Sequence, residues 1–358
     1  MSAMPSPHPS APIQTAPMPS SDAPAQARRR RLVWSLALLS ALLLLAGLAA
    51  GSDGWSWQAL MMWSSPETQL IVGQIRAPRT LGAWFVGALL GLAGALAQGL
   101  FRNPLADPYL IGSAAGASLG VVLVLAAGGL AGQSIGLGGA EDLLRFGMVG
   151  AAFAGALAGV FLTLLLARGA EHTTRLLLAG VVVGVLLTAV SDLLTTAAPD
   201  TLRGKQAFML GSTGFLGWGS VGLLAAGLAI SLPLAWRLAR ALDALSLGED
   251  SARSLGLALS RWRIVLVTVL AFATGLAVSQ AGLVAFVGLV APHLVRRFAP
   301  ATHGFSLLAS AAAGGTLLLA ADVLARSLMP PQELPVGVLT AVLGGGYLLW
   351  LLHRRGLQ

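Results

Sequence analysis

Apolar residues in this chain gather into runs of about twenty, separated by short polar breaks, as expected of membrane-spanning helices rather than of alternating strands. The runs lie at 32–50 and near 80–99, 109–130, 145–167, 175–197, 219–237, 264–280, 282–299, 304–325 and 335–353. Only Gln280-Ala281-Gly282 separates the seventh from the eighth; they count as two because the combined stretch exceeds one span. The first run, Leu32 to Ala50, follows Arg28-Arg29-Arg30-Arg31 and is too long for the apolar core of a signal peptide, so it is read as a span. Small residues recur at intervals of four, as at Gly87, Gly91 and Ala95, a spacing that lets helices approach closely where lipid provides no hydrophobic drive.

Composition sharpens this reading. Of 358 residues, 56% are hydrophobic and 10% charged, which excludes a water-soluble globule. The predicted fold class is all-α: a polytopic membrane protein with about ten transmembrane helices. Residues 1–27, rich in Pro, Ser and Ala, are expected to form a disordered tail, leaving 28–358 as the membrane domain. With the N-terminus inside, the cytoplasmic side carries Arg28–Arg31, Arg102, Arg168, Arg175, the arginines of 237–263, Arg296, Arg297, Arg354 and Arg355, against Arg76, Arg79, Arg145, Arg203, Lys205 and Arg326 outside. The positive-inside rule therefore places both termini in the cytoplasm.

Candidate chemistry is sparse. The chain has no Cys, and its single Lys, Lys205, follows Gly204 but precedes Gln206 without a glycine-rich lead-in, so no P-loop is present. The five His lie in the tail or near predicted span ends, with no HExxH and no paired carboxylates. No catalytic residue, metal site or cofactor is expected, and a chain with so little solvent-facing basic surface is not expected to bind nucleic acid. Of the acids, Asp192 falls clearly inside a span, with Asp107 and Asp322 near span ends. Energy coupling is therefore expected from another chain; the alternative is an ion-coupled secondary transporter working alone.

Three polar constellations remain. Arg76-Ala77-Pro78-Arg79 precedes the second span on the outer side, with Pro78 suited to a first helical turn; the two guanidiniums suit either interfacial anchoring or a socket for a partner's carboxylates. Gln98 to Pro108 is a polar insert twice broken by proline, read either as a cytoplasmic turn or as irregular backbone within the protein. Leu247-Gly248-Glu249-Asp250-Ser251-Ala252-Arg253-Ser254-Leu255-Gly256 lies in the longest cytoplasmic loop, 238–263. Its acids at the start and Arg253 nearer the end predict a short helix stopped by Gly256, suited to plug into a cytoplasmic partner.

At these residues the sequence resembles the FecCD family of ABC-transporter permeases, the membrane subunits that import iron-siderophores, haem and vitamin B12. The likeness runs from about Leu32 to the C-terminus and includes Thr173-Thr174-Arg175, Gly282 to Arg296, Ala321-Asp322-Val323-Leu324-Ala325-Arg326 and Glu333-Leu334-Pro335-Val336-Gly337. It implies a type II ABC importer permease fold in a bacterial inner membrane. It further implies a homodimer whose path is lined by the fifth and tenth spans, a pair of cytoplasmic ATP-binding subunits, and a periplasmic binding protein. By matching position, Arg76, Arg79 and Arg326 are implied to dock the binding protein. Asn103, Leu105, Thr173 and Thr174 are implied to form the cytoplasmic constriction. Gly248, Glu249, Ala252, Arg253, Leu255 and Gly256 are implied to couple to the ATPase. The family also relates spans two to five to spans seven to ten by inversion, faintly echoed by Gln98 and Gln280. Two features depart from its pattern: Gly344-Gly345-Gly346 in the last span, and Asp192, expected to pair with Arg203 or Lys205.

Overall fold

A computed structural model describes residues 23–51, 54–57, 65–131, 140–168, 172–254 and 258–355. The described residues form a helical bundle with a two-residue hairpin pairing Ala50–Gly51 with Gly54–Trp55 and an isolated bridge between Met329 and Gln332. Its helices are α1 (Ala23–Ala49), α2 (Pro66–Phe101), α3 (Ser113–Ala131), α4 (Ala140–Leu166), α5 (Thr173–Ala197), α6 (Thr201–Leu210), α7 (Trp218–Arg237), α8 (Ala239–Ser246), α9 (Glu249–Ser254), α10 (Leu259–Ala281), α11 (Val287–Phe298), α12 (His303–Ser327) and α13 (Val336–Arg355). Among the described residues, α1, α2, α4, α5, α7, α10 and α12 are long and apolar enough to cross a membrane. Shorter apolar stretches lie in α3 and α13.

Several expectations shift. Helix α1 begins at Ala23, inside the stretch assigned to the tail, while residues 1–22 lie outside the described residues. The apolar run at 282–299 is not a full span: α11 has 12 residues, about 18 Å of helix against a hydrocarbon core of about 30 Å. Hydropathy registers side chains, and Gly282 to Phe286 is apolar without being helical. Helix α2 starts well before Arg76, passing through a wider π-helical stretch at Ile71–Arg76. Proline lacks an N–H and its ring crowds the carbonyl four residues back; the wider turn just before Pro78, with the Ala77 N–H reaching Val72, lets the helix continue through it.

The buried centre is α2 packed against α12, α10 and α11, its residues from Pro78 to Phe101 almost all enclosed. Small residues set these distances. A Cβ on Gly87 or Gly91 would overlap the carbonyl oxygens of Gly314 or Ser310 of α12, and Gly116 and Gly155 meet in the same way between α3 and α4. Helix α5 buries a single narrow stripe, Leu176, Gly180, Val183, Ser191 and Thr195, and leaves the rest of its circumference uncovered by its own subunit.

Non-helical backbone is concentrated where α2 meets α3, α6 meets α7, and α10 meets α11, and these stretches bond to one another. Ser212 N–H donates to the Ala281 carbonyl (2.8 Å), Leu283 N–H to the Phe208 carbonyl (3.0 Å), and the Tyr109 hydroxyl to the Val284 carbonyl (3.1 Å). The 3-10 turn Pro108–Ile111 packs against Gly180, about two turns inside α5, and against Gly288 of α11. The proline-broken insert is thus buried protein interior over its second half and an exposed turn over Arg102 to Leu105.

Replacing Gly91 with Val should force α2 and α12 apart and cost about 1–3 kcal/mol or more, the range for overpacked contacts. Replacing Gly184 of α5 with Ala, where a Cβ meets nothing within 4 Å, should not destabilise the chain. Thermal unfolding in detergent should therefore show a lowered midpoint for Gly91→Val only.

Candidate functional site

At the end of the bundle away from most of the arginines, the first constellation is built into the core. Asp322 of α12 is fully buried. Its Oδ1 accepts from Arg79 Nε (3.1 Å) and the Thr213 hydroxyl (2.6 Å), and its Oδ2 from Arg326 Nη2 (2.5 Å), one helical turn along. Arg79 continues to Glu333 (2.7 Å), on the segment that leads into α13. Arg326 Nη1 donates to the carbonyls of Gly47 (3.0 Å) and Ala50 (3.2 Å), satisfying the end of α1. Arg76, half-buried, gives the same service to Leu48 and Ala49 and also binds Ser56. Arg79 and Arg326, expected at a docking socket, are thus placed in the interior of this subunit. Arg326 is 1% exposed, Arg79 is buried too, and both are committed to internal carboxylates.

At the Arg-rich end, α8 and α9 form a compact pair joined at Leu247-Gly248. Gly248 adopts φ +110°, a conformation open to glycine and strained for other residues, and it turns the chain so that Leu247 projects, 68% exposed. The pair is anchored to three spans. Asp243 accepts from the backbone N–H of His303 (3.0 Å) and contacts its ring Nδ1 (2.7 Å), capping α12 from another helix. Glu249 accepts from Arg263 at the start of α10 (2.6 Å) and from the Thr173 hydroxyl at the start of α5 (3.3 Å). Burial pushes the Glu249 carboxyl up, but Arg263, with Thr173 and Arg102 adding to it, holds it below the usual glutamate value. Ala252 is buried, whereas Arg253 lies exposed over Glu249 and Asp250. The expected helix is α9; Leu255 and Gly256, the latter its expected stop, lie outside the described residues.

The remaining candidates flank the same end. Asn103 is exposed and its side chain accepts from Leu105 N–H (2.9 Å), shaping a turn that presents Leu105. Thr174 is exposed at the base of α5, and Thr173 is partly enclosed by its bond to Glu249. Asp107 caps the Pro108–Ile111 turn, accepting from Tyr109 N–H (2.8 Å). Gln98 bridges α2 to α11, donating to the Leu289 carbonyl (3.1 Å) and accepting from Arg296. Of the two departures, Asp192 pairs with Lys205 (2.5 Å) rather than Arg203. A side chain at Gly344 would overlap Phe286, whose backbone is left-handed at φ 66°, so that glycine seats the aromatic ring while α13 remains helical through Gly344, Gly345 and Gly346.

Sequence reasoning missed Leu247 as a projecting group, Glu333 and Asp322 as the counter-ions of the arginines, and the Thr173 to Glu249 bond. The i to i+4 spacing of Asp322 and Arg326 was the one readable signal among these.

The model of the FecCD transport family matches residues 36–354. The chain is 39% identical over 334 residues to the vitamin B12 import system permease protein BtuC of Escherichia coli, covering 92% of this chain and 98% of that protein. The Klebsiella pneumoniae BtuC is 40% identical over 337 residues, covering 92% and 95%. Among solved structures, an inward-facing metal-chelate type ABC transporter superposes with TM-score 0.78 at 27% identity, over 91% of this chain and 99% of that one. PsaBC of Streptococcus pneumoniae in complex with Fab shares the fold at TM-score 0.53 and 16% identity, over 82% and 93%.

Asp322→Ala should leave two enclosed guanidiniums without their shared carboxylate, at a cost of about 3–5 kcal/mol. Glu333→Gln, at a half-exposed position that retains a hydrogen-bond acceptor, should cost far less. The yield of monodisperse protein and its unfolding midpoint in detergent give the comparison, and equal behaviour of the two variants would refute the assignment.

Proposed function

We propose, from the premise that the chain belongs to the FecCD transport family and is an ABC importer permease, that two copies form a path through the bacterial inner membrane for a bulky metal chelate. A pair of ATP-binding subunits drives the path from the cytoplasm, and a binding protein delivers the cargo from outside. The observation that carries this reading is the α8–Gly248–α9 pair. It presents an apolar knob, Leu247, and an exposed cation, Arg253, beyond the spans while being fastened to α5, α10 and α12. A carrier working alone has no use for such a handle.

Leu247 enters a groove of the ATPase in this reading, with Gly248 setting its angle and Arg253 meeting acidic groups beside it. The uncovered faces of α5 and α13 meet their counterparts in the second copy around the path. Asn103, Leu105, Thr173 and Thr174 narrow it at its cytoplasmic end. Binding-protein docking uses the face carrying Arg76; Arg79 and Arg326 support that face from beneath through Asp322. The chelate is of the cobalamin class, since permeases at 39% identity import vitamin B12; ferric siderophore is the second candidate, favoured by the likeness to a metal-chelate transporter.

Proteoliposomes holding the chain, its ATPase and its binding protein should import cobalamin on addition of ATP. Uptake by the chain alone on a proton or sodium gradient would overturn the reading in favour of an ion-coupled carrier. Gly248→Val should cut import by tenfold or more, because a β-branched residue at this φ costs about 1–3 kcal/mol and tilts the knob. Arg76→Glu should weaken binding-protein capture, measured on the purified complex, while leaving membrane insertion intact.

A further inference from the structure

We infer that the Glu249 carboxylate is the mechanical link between the ATPase-facing pair and the path, with the Thr173 hydroxyl as its contact on the path helix. The inference rests on the reading above and names the residues through which motion passes.

Glu249 opens α9 immediately after the Gly248 turn, so any displacement of Leu247 reaches it within two residues. A single oxygen, Oε1, receives both Arg263 Nη2 (2.6 Å) and Thr173 Oγ1 (3.3 Å). The two donors differ in kind. The Arg263 side chain is 1% exposed and takes its charge balance from Glu249, so the bond fixes the carboxylate against α10. Thr173 is the first residue of α5, and α5 lacks a side-chain cap from its own N-cap residue, His172. The carboxylate therefore also lies where a helix start favours negative charge.

Helix α5 itself is lightly held. Its one buried stripe packs on α3, α4 and the Pro108–Ile111 turn. The hydroxyl-to-carboxylate bond is thus a direct polar connection by which α9 can draw on the base of α5. A tilt of α9 about Gly248 moves Oε1 relative to one donor or the other, and because Arg263 is enclosed, Thr173 is the contact that gives. With its hydroxyl so engaged, Thr173 leaves Thr174 as the exposed threonine at the constriction.

The test compares Thr173→Val, which removes only the hydroxyl, with Thr173→Ser, which keeps it, in the assembled transporter in proteoliposomes. The readout is cobalamin imported per ATP hydrolysed, with co-purification of the ATPase as the check on assembly. Thr173→Val should lower that ratio about tenfold, the size set by losing a hydrogen bond to a charged group, and Thr173→Ser should restore it. Glu249→Gln should lower it as well, and the double variant Thr173→Val with Glu249→Gln should be no worse than the more impaired single one. A wild-type ratio in Thr173→Val, or losses that simply add in the double variant, would overturn the link while leaving the transporter reading intact. An assembled wild-type complex that imports nothing with ATP would overturn both.

Discussion

Backbone that leaves the helix inside a membrane has no water to bond with, so each freed N–H and carbonyl must find a partner within the protein. Here the partners are neighbouring irregular stretches and the helix ends beside them: Ser212 N–H reaches Ala281, Leu283 N–H reaches Phe208, and Tyr109 reaches Val284. The half-length α11 and the re-entrant Pro108–Ile111 turn approach α2 and α5 at Gly94 and Gly180, where side chains would collide. Close helix contact and broken helix are therefore two aspects of one arrangement.

Charge is handled differently at the two ends. Away from the arginine-rich end, Asp322 gathers two guanidiniums into a closed cluster that ties α1, α2, α12 and the lead into α13 into one block. At the arginine-rich end, the ion pairs of Glu249 and Asp243 join a projecting hairpin to the spans behind it, and Arg253 and Asp250 remain at the surface. One end is thus closed by internal ion pairs, while the other presents a hairpin fastened to the spans by them.

Hydropathy alone located each span, because length and apolarity are properties of contiguous sequence. It misjudged 282–299, since Gly282 to Phe286 is as apolar as a helix without forming one. The short α6 escaped notice because Arg203 and Lys205 interrupt its apolar pattern. The α9 helix was legible from its acidic start and Arg253 within one short segment. The roles of Arg79 and Arg326 were not, because the partners of Arg79 lie 243 and 254 residues along the chain, and an arginine reads the same whether it meets solvent or a buried aspartate.

Lys205 carries the chain's single side-chain amine; it pairs with Asp192 and is 13% exposed. Reagents that acylate side-chain amines thus have one target, on a helix, α6, that packs against α3. The ion pair that looked out of place in a transmembrane helix doubles as a built-in reporter: the rate at which that nitrogen is modified would follow its exposure beside α3 without any introduced label.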